Sequence, residues 1–271
     1  MTIKKFQKTI WDFYKKQGRK LPWRETFDPY KILISETMLQ QTQVARVFKK
    51  YESFLSKFPS VEALAQAPLK DLLLQWQGLG YNRRALNLKK TAEIITKEYK
   101  GIFPKDRETL LSLPGVGQST AGALIAFSYN KPSVFIETNI RSVFIHFFFP
   151  KAQKVDDKKI LPLIAEAVDV NNPKHWYYAL MDYGVMLKQN HVNPSRKSAS
   201  HTKQSTFKGS WREKRSRTLK HILAQGTENL SGLSKYLLLE KTETKKILDE
   251  LTKEGFLTKN SHQYTILEPK Q

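Results

Sequence analysis

Leu113-Pro114-Gly115-Val116-Gly117-Gln118-Ser119-Thr120-Ala121 is the stretch whose reading decides the fold. An amphipathic turn over 106–112 precedes it, and an apolar run, Gly122-Ala123-Leu124-Ile125-Ala126-Phe127-Ser128-Tyr129, follows. Pro114 stops a first helix, because its ring disfavours helical geometry in the residue before it. Gly115 and Gly117 are free to take positive φ and to let a ligand or a second backbone approach closely. A second helix then starts through Gln118, Ser119 and Thr120 with its first amides pointing outward, which makes a seat for an anion. Such a hairpin suits a DNA phosphate, although a plain packing turn between two helices would use the same residues.

Downstream, Val134-Phe135-Ile136-Glu137-Thr138-Asn139-Ile140-Arg141 brings a carboxylate out of a short, β-branched apolar run. A carboxylate held near a sugar stabilises the positive charge that grows as a glycosidic bond breaks. A helix N-cap, or an ion pair between Glu137 and Arg141 four residues on, explains the same residue equally well.

Upstream lie two further segments. In Trp76-Gln77-Gly78-Leu79-Gly80-Tyr81-Asn82-Arg83-Arg84, a glycine turn delivers an aromatic ring and then two arginines at a helix start. Tyr81 is placed to wedge into a base stack, with Arg83 and Arg84 as phosphate contacts; a tyrosine buried at a helix corner is the bland alternative. In Ser35-Glu36-Thr37-Met38-Leu39-Gln40-Gln41-Thr42-Gln43, Glu36 sits on a helix with Leu33 and Leu39 three residues to either side. That setting predicts a partly buried carboxyl with a raised pKa, able to protonate a base as a general acid. Gln40 and Gln41 carry amides suited to base edges and to the gap a flipped base leaves.

Apolar residues recur at helical spacing through Phe6, Ile10, Phe13 and Tyr14, from Ile32 to Val47, and over 61–75, 84–99 and 106–112. Residues 1–187 therefore read as one all-helical domain. From 188 to 214 the composition turns to Lys, Arg, Ser, Thr, Asn and His, the mark of a basic linker or arm. Over 215–271 three short amphipathic stretches precede FLTKNSHQYTIL, in which two apolar runs flank a polar turn, so a small winged helix-turn-helix is expected. The fold class expected is mainly α.

Lys and Arg number 46 against 25 Asp and Glu, a formal charge of +21 that attracts a polyanion before specific contacts form. The absence of cysteine excludes disulfides and thiolate-bound metal or iron–sulfur centres from this chain. The N-terminus lacks the apolar core of a signal peptide, and no run approaches a membrane span, so a soluble, intracellular, cytoplasmic protein is expected.

Taken in order, LPWR at 21–24, SETMLQQTQV at 35–44, FPSVEALAQAP at 58–68, WQGLGYNRRALNLKK at 76–90, LPGVGQSTAGALIAFS at 113–128 and MDYGVML at 181–187 resemble the MutY-type adenine-DNA glycosylases, within the helix-hairpin-helix superfamily that includes endonuclease III. The resemblance covers the first 190 or so residues. It implies a two-lobed helical domain in which Glu36 is the catalytic acid, Gln40, Gln41 and Tyr81 open the duplex, and Asn139 belongs to the catalytic loop. Glu137 falls where the family places an aspartate. Ser119 falls where bifunctional relatives carry an imine-forming lysine, and a hydroxyl cannot form that imine, so base removal without strand cleavage is expected. The family's four-cysteine iron–sulfur loop is replaced by the basic stretch after Lys188, which makes this a clusterless variant needing no cofactor. Its partner would be double-stranded DNA with a mispaired or damaged base, bound by a monomer, with no membrane. Removal of adenine opposite 8-oxoguanine or guanine is the expected reaction; a thymine or uracil mismatch glycosylase on the same scaffold, or a non-catalytic DNA-binding protein, are the alternatives.

Overall fold

The computed structural model describes residues 1–268. Its helices are α1 (Ile3–Gln17), α2 (Pro29–Leu39), α3 (Val44–Lys57), α4 (Val61–Gln66), α5 (Leu69–Trp76), α6 (Arg83–Tyr99), α7 (Arg107–Ser112), α8 (Gln118–Tyr129), α9 (Thr138–Phe148), α10 (Asp157–Ala167), α11 (Pro173–Asn190), α12 (Trp211–Gln225), α13 (Leu230–Leu237) and α14 (Lys241–Glu254). Its strands are β1 (Thr227–Asn229), β2 (Leu257–Asn260) and β3 (Gln263–Ile266). Among the described residues no helix is long and apolar enough to cross a membrane. The chain divides into two compact units, one of residues 1–37 and 103–203, the other of residues 38–102 together with the chain from Gln204 onward.

The first unit is built round aromatic side chains from distant parts of the chain. Phe6 of α1 packs edge-on against Phe148 of α9 and Trp176 of α11, with ring centroids 5.1 and 5.9 Å away. Phe127 of α8 stacks on Tyr178 of α11 at 4.4 Å. The VFIETNI segment forms no strand: residues 134–137 lead into α9, which takes up Thr138, Asn139 and Ile140, and Phe135 is buried against α8. Gly122 makes that contact possible, because a Cβ there would stand 2.5 Å from the Cβ of Phe135.

In the second unit the apolar run expected to continue from Ile32 to Val47 breaks at 40–43 between α2 and α3, and the 61–75 run breaks before Pro68 into α4 and α5. The C-terminal portion has the order helix, strand, helix, helix, strand, strand, with an antiparallel sheet in the order β1-β3-β2. Leu257 pairs with Ile266 and Asn260 with Gln263, so a two-residue turn, Ser261-His262, closes the expected hairpin. Strand β1 is too short to have left a pattern in the sequence.

The basic stretch over 188–214 is less arm-like than its composition suggests. Lys188 belongs to α11, a 3-10 turn spans Pro194–Lys197, and Val155 exchanges backbone bonds of 2.8 Å with Lys197 and Ala199; α12 begins at Trp211.

Candidate active site

The hairpin forms as its residues dictate. Asp106 caps α7 by accepting from the Thr109 amide at 2.8 Å, and buried Leu113 and Val116 pin the turn from inside. Gly115 takes φ +79°. Gly117 does not follow the expectation of positive φ: it is the extended N-cap of α8 at φ −94°, and a Cβ there would meet nothing within 4 Å. Its lack of a side chain leaves open space in front of the first turn of α8. Arg107 holds that turn by donating to the Gln118 side-chain oxygen at 2.8 Å. Ser119 is half-buried and Thr120 is buried, so of these three residues the Gln118 side chain is the exposed one.

Glu137 is the N-cap of α9. Its Oε1 accepts from the backbone amides of Asn139 and Ile140, both at 2.8 Å, and its Oε2 accepts from the Asn139 side-chain amide at 3.1 Å. An ionised carboxylate has about four acceptor positions, so three bonds leave room for about one more partner. The alternative pairing with Arg141 does not form, because Arg141 makes a two-pronged bond to Asp157, 2.7 Å on each side.

Glu36, on α2, is half-buried. Burial first and the negative charge of Glu137 second raise its pKa from the usual 4.5 to about 7, against the opposing charge of Arg24. The two carboxyls thus differ in setting: Glu137 is tied to three donors, while burial and the neighbouring charge favour the protonated form of Glu36.

LPWR and MDYG, which in the sequence carry only the resemblance, hold a buried ion pair. Arg24 and Asp182 are 7% and 3% exposed and joined by bonds of 2.7 and 2.9 Å, while Arg19 adds its backbone amide and Nε to the same carboxylate. Burial would raise the Asp182 pKa, but the hydrogen bond and charge of Arg24 outweigh it and leave it lowered. Lys188 was missed altogether: its Nζ donates to Asn139 Oδ1 at 2.8 Å.

In the other unit Arg84 is not a surface phosphate contact. It is 9% exposed, and its guanidinium donates to the carbonyls of Met38, Gln40, Leu79 and Gly80 and to the Thr42 hydroxyl, at 2.6 to 3.0 Å. It thereby ties together two loops that each carry a left-handed non-glycine residue, Gln41 at φ +53° and Tyr81 at φ +47°. Such backbone is costly and persists only where its surroundings impose it. Gln41 is exposed, whereas Gln40 and Tyr81 are half-buried. The Tyr81 hydroxyl accepts from Gln204 and Arg212, and Arg83, though 64% exposed, pairs with Glu254 at 2.6 Å. Among the described residues no group of three or more histidines, aspartates and glutamates is placed to hold a metal ion.

The two helices α7 and α8, joined by a turn in which Gly115 takes positive φ, make a helix-hairpin-helix motif. Residues 34–168 match the family model of the HhH-GPD superfamily of base excision DNA repair proteins. It is 38% identical over 192 residues to the adenine DNA glycosylase of Buchnera aphidicola subsp. Baizongia pistaciae, a match covering 69% of this chain and 54% of that relative. This chain therefore spans about half the length of that relative. It is also 29% identical over 187 residues to a thymine/uracil-DNA glycosylase of Methanothermobacter thermautotrophicus, covering 68% of this chain and 85% of the other. A solved thermostable thymine-DNA glycosylase superposes with a TM-score of 0.63 at 27% identity, over 72% of this chain and 91% of that one.

Proposed function

We propose that this chain is a monofunctional DNA glycosylase of base excision repair, which removes adenine mispaired with 8-oxoguanine or guanine from duplex DNA and leaves an abasic site. The reading rests above all on Glu36, a carboxyl whose pKa is raised to about 7 by burial and by Glu137. At neutral pH a large share of Glu36 carries the proton that adenine N7 needs to become a leaving group. As the C1′–N9 bond breaks, positive charge develops on the sugar, and the remaining acceptor capacity of Glu137 is available to it. Water then adds to C1′ and gives up its proton to the Glu36 carboxylate, which restores the acid. The step calls for no metal or organic cofactor, and Ser119 offers no amine for an imine.

DNA is gripped, on this reading, by the open N-terminus of α8 behind Gly115 and Gly117, with Gln118 at its edge and the Ser119 and Thr120 amides in its first turn. Gln40, Gln41 and Tyr81 engage the bases around the lesion, and Arg83 adds positive charge. Arg84 serves indirectly, by holding the loops that carry Gln41 and Tyr81. The +21 charge supplies the unspecific attraction.

A thymine or uracil mismatch glycosylase is the second reading, favoured by the 85% and 91% of their own lengths over which the two thymine-directed relatives match. A pyrimidine has no N7, so the two readings differ in what Glu36 does. The test is release of adenine from a duplex with adenine opposite 8-oxoguanine: the parent releases it, and Glu36→Gln binds the duplex without doing so. Equal release by both proteins would end the proposal.

A further inference from the structure

Lys188 lies on the last turn of α11, and its ammonium meets Asn139 Oδ1 at 2.8 Å while the other end of that amide, Nδ2, meets Glu137 Oε2 at 3.1 Å. The three side chains form a line from cation to amide to carboxylate. α11 reaches this position because residue 184 is glycine: a Cβ there would stand 2.5 Å from the Asn139 carbonyl oxygen and 2.7 Å from its Cβ. One helical turn separates Gly184 from Lys188, so the close approach and the ammonium lie on the same face of α11.

The chemistry of the line is one-way. An ammonium only donates and a carboxylate only accepts, so an amide between them has a single favourable orientation. Turned over, Asn139 would set its oxygen against Glu137 and its NH₂ against Lys188, placing like against like at both ends. With the orientation fixed, Glu137 takes its third hydrogen bond on Oε2, and the position left for a further partner has a set direction. Lys188 is half-buried, and burial lowers its pKa, while the charge of Glu137 works to restore it and that of Arg141 works against it.

We propose that Lys188 is a positioning residue, which locks Asn139 and through it aims the Glu137 carboxylate at the sugar. The inference rests on the glycosylase reading, in which Glu137 stabilises the cationic sugar. Misdirecting a catalytic group by about an ångström costs on the order of 10–100-fold in rate.

The experiment compares the full chain with Lys188→Met, Lys188→Arg and Glu137→Gln, measuring single-turnover release of adenine opposite 8-oxoguanine, duplex affinity and the NMR signal of the Asn139 side-chain NH₂. Lys188→Met should lose on the order of 10–100-fold in the single-turnover rate with duplex affinity within about threefold of the parent, and Lys188→Arg, which still donates, should recover most of it. The Asn139 NH₂ signal should move in Lys188→Met and return in Lys188→Arg, a readout independent of turnover. A parent-like rate and NH₂ signal in Lys188→Met overturn the proposal, as does an equal loss in Lys188→Met and Lys188→Arg. If Glu137→Gln is inactive while Lys188→Met is not, only the role of Lys188 falls; if Glu137→Gln keeps the parent rate, the reading beneath it falls.

Discussion

Asp182 receives both terminal nitrogens of Arg24, at 2.7 and 2.9 Å, and the two side chains are 1% and 6% exposed. Removing one partner of such a pair strands a buried charge, which costs about 3–5 kcal/mol. Asp182→Asn should lose that much stability in urea titrations at neutral pH. Arg24 also opposes the rise in the Glu36 pKa, so Arg24→Met should move the alkaline limb of the pH–rate profile upward. An Asp182→Asn chain as stable as the parent would show the pair to be dispensable.

Glu36 carries a cost that should be visible without DNA. Its pKa in the folded chain, about 7, lies above the usual 4.5, so the folded state binds its proton more tightly than the unfolded one. The stability this contributes is complete below about 4.5 and lost as pH rises through about 7, to an extent of at most about 3 kcal/mol. Glu36→Gln cannot ionise and escapes the loss. Relative to the parent it should therefore gain stability steadily between pH 4.5 and 8 in paired denaturant titrations; a difference flat across that window would mean that Glu36 titrates normally.

Arg84 gives a third expectation. Its guanidinium meets five acceptors from two loops, a geometry that the three donors of an ammonium cannot reproduce. Arg84→Lys should cost about 2–4 kcal/mol. Because the side chain is buried, the slope of log affinity against log salt in Arg84→Met, which removes the charge, should stay that of the parent, where loss of a phosphate ligand would reduce it by about 0.9. A reduced slope would return Arg84 to the DNA surface.

These cases mark where the sequence was legible. The hairpin could be read because Pro114 and Gly115 act on their own backbone, and the helices because their apolar residues repeat locally. Glu36 could be read from Leu33 and Leu39 on the same helix. The break at 40–43 could not, since Arg84, more than forty residues away, ties down the Met38 and Gln40 carbonyls. Arg84 itself looks like any basic residue at a helix start, and only the packed structure shows its charge turned inward. The same holds for Lys188, whose signal, Gly184 one turn earlier, gains meaning only once Asn139 is known to lie against it.

Single-turnover base release by the purified chain, on labelled duplexes carrying adenine opposite 8-oxoguanine, adenine opposite guanine, thymine opposite guanine and uracil opposite guanine, tests the assignment most directly. Abasic sites are revealed by alkali, with Glu36→Gln run beside the parent. Abasic sites confined to the adenine strands and absent with Glu36→Gln are the predicted result. Release of thymine or uracil alone, or adenine release that survives Glu36→Gln, would contradict it.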